Sequence, residues 1–161
     1  MSSTPPPVET PSPPLTMRYA TVEDLPAIVA LLADDQLGAA EETPADPGAY
    51  RAAFDRVTAD PKQHLMVADG PDGVLGTLQL TVVPGLSRRG AARSVLEAVH
   101  VSAEARGAGL GTRLVEWAVT ESRRQGCDLI ELTTDATRLD THRFYERLGF
   151  EASALGFTLP L

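Results

Sequence analysis

The sequence predicts one mixed α/β domain of the α+β type, with a mixed, mostly antiparallel central sheet of six to seven strands and flanking helices. Three observations lead there. From Thr16 onward, short apolar runs alternate with amphipathic helical stretches, the pattern of a domain built from sheet and helix layers. Two of those runs, QHLMVAD and VLGTLQLTVV, flank Gly70, Pro71, Asp72 and Gly73, which is turn chemistry between antiparallel strands. The run VLEAVHV leads through SAEA into the glycine-rich turn RGAGLG and then a long helical stretch, so strand, tight turn and helix follow one another.

The elements can be justified in chain order. Residues 1–15, MSSTPPPVETPSPPL, gather Pro5, Pro6, Pro7, Pro11, Pro13 and Pro14 among Ser, Thr and Glu. Such a composition builds no core and favours extended, solvated chain, so this segment reads as a disordered leader and residues 16–161 as the domain. TMRYA is a first short strand. Thr21 suits a helix start with Asp24 three residues on, and Leu25, Ile28, Val29, Leu31 and Leu32 form a helical stripe that should end near Asp34. DDQLGAAEETPADPG mixes glycine, proline and acids and reads as a long loop. A second helix runs from about Pro47 to Ala59, with proline in its first turn and Tyr50, Phe54 and Val57 along one face. The hairpin supplies the second and third strands, and the polar turn PGLSRRGAAR separates them from a fourth that ends at Val101. Leu110, Leu114, Trp117 and Ala118 then follow helical spacing up to a stop at Gly126. DLIELTT is a fifth strand, Leu139 to Leu148 a short helix closed by Gly149, and Phe150 to Leu159 one or two last strands.

Composition bounds the partners. Lys and Arg number 14 against 22 Asp and Glu, for a formal net charge of -8. The arginines are scattered or in short clusters rather than along one stripe, which speaks against nucleic acid. A cationic small molecule or a basic peptide suits this field better. Cys127 is the one cysteine, so no disulfide framework forms within the chain, and no ligand spacing predicts a metal site. Residues 1–15 lack the basic and apolar regions of a secretory signal, and no run reaches the length of a membrane span. A soluble, cytoplasmic protein with no membrane partner is expected.

The glycine turn has several readings. Gly107, Gly109 and Gly111 remove side chains where the backbone turns sharply or lies against a ligand, and free N–H groups at a helix start bind anions. A P-loop needs a lysine after its last glycine, and Lys62 is the only lysine in the chain. A dinucleotide fingerprint needs Gly-x-Gly-x-x-Gly early in a parallel βαβ unit, whereas the spacing here is Gly-x-Gly-x-Gly after an antiparallel hairpin. A plain strand-to-helix connection stays open beside a phosphate site.

Two companions extend the motif. Arg106 precedes the turn, giving Arg-x-x-Gly-x-Gly, and HRFYERLGF follows from His142 to Phe150. In this order and at this distance they resemble the GNAT family of N-acetyltransferases, whose signature is Gln/Arg-x-x-Gly-x-Gly/Ala after the fourth strand and Phe/Leu-Tyr-x-x-x-Gly-Phe near the end. The resemblance covers roughly Thr16 to Leu159 and is strongest between Val95 and Phe150. It implies acetyl-coenzyme A (acetyl-CoA) as cosubstrate, with no metal. The amides of Arg106, Gly107, Ala108, Gly109, Leu110, Gly111 and Thr112 would cradle its pyrophosphate at the helix N-terminus. It also implies that strands four and five splay apart. The pantetheine arm would enter that gap and pair with the main chain at Val99 and Val101, with His100 between them. One position departs from the family: the asparagine seven residues before the tyrosine is Arg138 here, and the small residue three later is Thr141.

Acetyl transfer to an amine needs a proton acceptor for the nucleophile and a proton for the departing thiolate. By the resemblance, Tyr145 is the acid beside the thioester sulfur; as an ordinary residue it packs between helix and sheet. Strand alternation puts Glu97 on one face with Val95, Val99 and Val101, where desolvation would raise its pKa and make it a base acting through water. Alternatively it is satisfied by an arginine such as Arg93, or it anchors the substrate ammonium. Alternation puts His100 on the opposite face. His142, three residues before Tyr145, reads either as a cofactor contact or as ordinary packing. Asp34, Asp35, Glu41, Glu42 and Asp46 could steer a polyamine, an aminoglycoside-like antibiotic or a basic peptide, or simply be solvated. The expected activity is direct attack of an amine on acetyl-CoA in a ternary complex, since no histidine stands near Cys127 in sequence to activate it. The alternative is a non-catalytic acyl-CoA sensor, and a homodimer is compatible with either.

Overall fold

The computed structural model describes residues 14–34 and 46–161. Most of the proline-rich leader, and Asp35, Glu41 and Glu42 of the acidic loop, lie outside them. In chain order the elements are β1 (Thr16–Tyr19), a 3-10 turn (Val22–Asp24), α1 (Leu25–Ala33), α2 (Pro47–Ala59), β2 (Gln63–Gly70) and β3 (Gly73–Val83). There follow a short turn α3 (Ser87–Gly90), β4 (Ala92–Val101), a second 3-10 turn (Ala103–Ala105), α4 (Leu110–Arg124), β5 (Cys127–Glu131) and α5 (Leu139–Arg147). The strands form one sheet in the order β1-β2-β3-β4-β5. The first three joints are antiparallel and β4 pairs with β5 in parallel, so the sheet is mixed.

Among the described residues five strands form instead of six to seven. The segment from Phe150 to Leu159 makes no strand, and 151–161 is exposed throughout. Its alternating apolar residues have strand character, but a strand exists only when its N–H and C=O groups find an edge to pair with.

Local chemistry sets the helix starts. The Asp46 carboxylate caps α2 by accepting from the Ala49 N–H at 3.1 Å, with Pro47 at the first helical position. The Thr21 N–H donates to the Asp24 carboxylate at 2.7 Å and steers the chain into α1. Asp24 also receives both terminal nitrogens of Arg18, at 2.7 and 2.8 Å, while Arg18 Nε reaches Asp69 at 2.9 Å. The Arg18 guanidinium holds the buried Asp24 carboxyl down at a pKa of about 2. One arginine thus ties β1, the start of α1 and the end of β2 together.

The core lies between the sheet and α4. Met66, Ala68, Leu78, Leu80 and Leu96 meet Leu110, Leu114, Val115 and Ala118. Met66, Val67 and Ala68 are buried in succession, so β2 is covered on both faces, and Ile28, Val29, Leu31 and Phe54 of α1 and α2 are buried outside the α4 cluster. Between β4 and α4 the Ser94 and Ser122 hydroxyls meet at 2.6 Å inside the core, and Ser122 also donates to the Ala118 carbonyl. That pairing satisfies two polar groups in an apolar layer.

Strand β4 contains a β-bulge. Gln79 stands opposite Glu97 and Thr77 opposite His100, leaving Ala98 and Val99 to face Leu78 alone. Ala98 takes the left-handed conformation with φ of 51°. The extra residue changes which side chains share a face. Val99 and Val101 join Leu96 on the α4 side, whereas Glu97 and His100 lie with Gln79 and Thr77 on the other. Uninterrupted alternation therefore misplaces Glu97, which does not share a face with Val99 and Val101; His100 stands opposite those valines as expected, but on the same face as Glu97.

Candidate active site

The parallel joint between β4 and β5 is short. It runs from Ala92 opposite Cys127 to Val95 opposite Glu131 and stops there. Beyond it the two chains part around a crevice lined by 96–100, by 132–135, and by Arg138, Thr141 and Tyr145. A crevice at the carboxyl ends of parallel strands is a usual place for ligands, because the strands leave together while their following loops diverge. Past Val95, the edge of β4 that faces the crevice has no strand pairing in the register.

The glycine turn lies at the far end of β4. The Ser102 N–H donates to the Leu75 carbonyl at 2.8 Å and pins the strand's exit. Gly107 and Gly109 have φ of 80° and 79°, conformations that cost an L-residue energy, and a Cβ built on either meets no atom within 4 Å. The space beside them is therefore filled by none of the described residues. Gly111 serves packing instead: its Cβ would stand 3.4 Å from the Phe144 ring, so its absence lets the start of α4 lie against α5. The helix ladder first returns to the turn from the Arg113 N–H to the Gly109 carbonyl, at 3.1 Å. The amides of Leu110, Gly111 and Thr112 are thus those that a helix start leaves for an anion. Arg106 is largely exposed, yet it bridges Val101 O at 3.3 Å and Asp34 Oδ2 at 2.8 Å, tying the turn to the end of α1. The helix-start amides and the open strand edge thus lie end to end along β4 and the turn that follows it.

Tyr145 is half-buried, with its ring edge-on to Phe144 and Phe150 at centroid distances of 5.0 and 5.5 Å. Desolvation raises its phenol above the ordinary value, partly opposed by the Arg138 charge. Glu97 lines the crevice but is exposed, so the enclosure expected among valines is absent. Arg93 does not serve it, because Arg93 Nε pairs with Glu131 at 2.7 Å. His142 Nε2 stands 2.8 Å from the Asp135 carbonyl and holds the loop between β5 and α5. Asp135 accepts from the Thr137 N–H at 2.8 Å and from its hydroxyl, which together keep its carboxyl below the usual range.

Sequence reasoning passed over Thr133, Thr134 and Asp135 in the crevice wall, and Asp34 as the partner of Arg106. The first three follow a strand that runs parallel to its neighbour, and a parallel pair places such positions at a site. The Arg106–Asp34 bridge spans distant segments and has no local signal.

A mixed sheet that splits beside a glycine turn and a helix start is the architecture of this site. The chain belongs to the Acetyltransferase (GNAT) family, which matches it over residues 25–150. It is similar to the aminoalkylphosphonate N-acetyltransferase of Salmonella typhimurium, 32% identical over 145 residues that cover 90% of each chain. It is also 30% identical to the L-methionine sulfoximine/L-methionine sulfone acetyltransferase of Pseudomonas paraeruginosa, over 86% of this chain and 81% of that one. Among solved structures it is similar to a transcriptional regulator from Bacillus halodurans, with TM-score 0.88 and 41% identity over 91% of this chain and 99% of that one. The chain is thus an acetyl-CoA-dependent N-acetyltransferase that transfers acetyl to an amine.

Proposed function

We propose that the acceptor is a small zwitterionic amine, acetylated by direct attack on acetyl-CoA, with Tyr145 as acid and Glu97 receiving the amine. The observation that carries this reading is that Glu97, Arg138 and Tyr145 line one crevice, opening where β4 and β5 part. An ammonium beside the exposed Glu97 carboxylate and an acidic group beside the Arg138 guanidinium would orient such an acceptor by two opposite charges. The compounds named for the two enzymes above, an aminoalkylphosphonate and an amino-acid analogue, carry both kinds of group.

The protein's part in the chemistry is positioning and proton transfer. The amides from Arg106 to Thr112 hold the pyrophosphate, and the main chain of Val99 and Val101 holds the pantetheine arm. Glu97 accepts the ammonium proton, through water, so that the neutral nitrogen attacks the thioester carbonyl. As the C–N bond forms and the C–S bond breaks, the Tyr145 hydroxyl supplies the proton for the leaving thiolate. Burial raises the pKa of the Cys127 thiol, which opposes thiolate formation and a covalent acetyl-cysteine route.

Thiol release with a panel of amines tests the reading. Zwitterionic aminophosphonates and amino-acid analogues should turn over, with polyamines and basic peptides at least tenfold slower in kcat/KM. Turnover confined to the cationic acceptors would overturn the acceptor class.

A further inference from the structure

The face of the sheet away from α4 carries a row of uncharged polar side chains that leads to Glu97. In the strand register Gln63 stands opposite Thr81, and Gln79 stands opposite Glu97. The Gln63 amide oxygen accepts from the Gln79 amide nitrogen at 2.9 Å and from the Thr81 hydroxyl at 2.8 Å. Gln63, Gln79 and Thr81 are half-buried, whereas Met66, Leu78, Leu80 and Leu96 on the other face of the same strands are buried in the core.

This row orders the Gln79 amide. Its nitrogen is committed to Gln63 on one flank, and the two polar atoms of an amide point apart, so its oxygen is turned away from Gln63. On the other flank stands Glu97, directly across the ladder, where opposed side chains begin about 5 Å apart. Gln79 therefore lies between an anchor and the carboxylate that lines the crevice. Anchoring restricts a long side chain before any ligand arrives, which lowers the entropy lost when it makes a contact.

We propose that Gln79 is a second acceptor-binding residue, its amide oxygen receiving an N–H of the amine that Glu97 receives, an inference that rests on the reading of Glu97 as the amine's partner. An ammonium has several N–H donors, and an exposed carboxylate alone holds it weakly. The two oxygens also differ in the way the reaction requires. The carboxylate takes up the ammonium proton through water, whereas an amide oxygen is not basic at neutral pH and keeps its hydrogen bond once that proton has left. Gln79 thus holds the neutral nitrogen while Glu97 carries the proton away.

Thiol release with aminomethylphosphonate as the acceptor tests the contact. Gln79→Leu removes both amide groups at similar volume. The KM for the amine should rise about tenfold, as for loss of a hydrogen bond to a charged group, with kcat within about threefold. Calorimetry should find acetyl-CoA affinity within about twofold, since no cofactor contact is removed. Gln63→Leu leaves Gln79 in place but frees its amide, so the KM should rise by a smaller factor, about threefold. That variant also carries the test should Gln79→Leu fail to fold. A lower melting temperature with KM unchanged would make the row a structural ladder and overturn the proposal. Glu97→Gln separates the contact from the reading beneath it. If kcat falls in Glu97→Gln while Gln79→Leu keeps the wild-type KM, the Gln79 contact alone is overturned. Turnover indifferent to Glu97→Gln overturns the amine site itself.

Discussion

Burial keeps the Tyr145 phenol protonated well into the alkaline range, which suits a group that must donate at neutral pH. Tyr145→Phe removes only the hydroxyl and leaves the ring against Phe144 and Phe150. Thiol release should fall by about 10²-fold in kcat, while calorimetry finds acetyl-CoA affinity within about twofold, a contact weaker than a typical hydrogen bond being at stake. Unchanged turnover would remove Tyr145 from the chemistry. At this scale the sequence was uneven. Tyr145 and the glycines were legible because a fixed motif surrounds them. Glu97 was legible as a carboxylate near the crevice but not as an exposed one, since its surroundings depend on the bulge beside it.

At the scale of elements, the hairpin, α1, α2 and α4 were readable because local chemistry decides them: turn glycines, a capping Asp46, and apolar residues at helical spacing. The bulge in β4 was not, because it is created by pairing with β3, and nothing around Ala98 in sequence marks it. Its left-handed backbone makes a specific expectation. Ala98→Val places a β-branched side chain at positive φ and should lower stability by about 2 kcal/mol, whereas Ala98→Gly should not lower it, as chemical denaturation can measure. Gly109 behaves differently because no described residue stands within 4 Å of a Cβ built there. Gly109→Leu should cost about 1–2 kcal/mol of stability through its positive φ and weaken acetyl-CoA binding at least tenfold by occupying the cradle. Loss of stability without loss of affinity would mean that the glycine serves only the turn. The missing final strands have the same origin as the bulge: alternation in 151–161 records strand character, but pairing needs a partner that local sequence does not specify.

Across the whole molecule, Arg18 joins three elements through Asp24 and Asp69, and the joint responds to acid. Asp24 titrates near 2 in the folded protein instead of 3.8. The stability it contributes is present above its unfolded value and is lost as pH falls from about 4 toward 2. Because Arg18 is about a third exposed, solvent screening reduces that contribution to about 1–2 kcal/mol. Asp24→Asn should lower stability at pH 7 by that amount and flatten the acid limb of the stability profile between pH 4 and 2. An acid limb as steep as the wild type's would place the proton uptake elsewhere. The bulge carries a consequence of another kind. Counting along β4, even-numbered positions face α4 up to Leu96 and odd-numbered ones from Val99, and Ala98 is the residue at which the parity changes. This strand can therefore lose the codon for Ala98 and keep its faces, because Leu96, Val99 and Val101 would then alternate regularly toward α4 with Glu97 and His100 turned away.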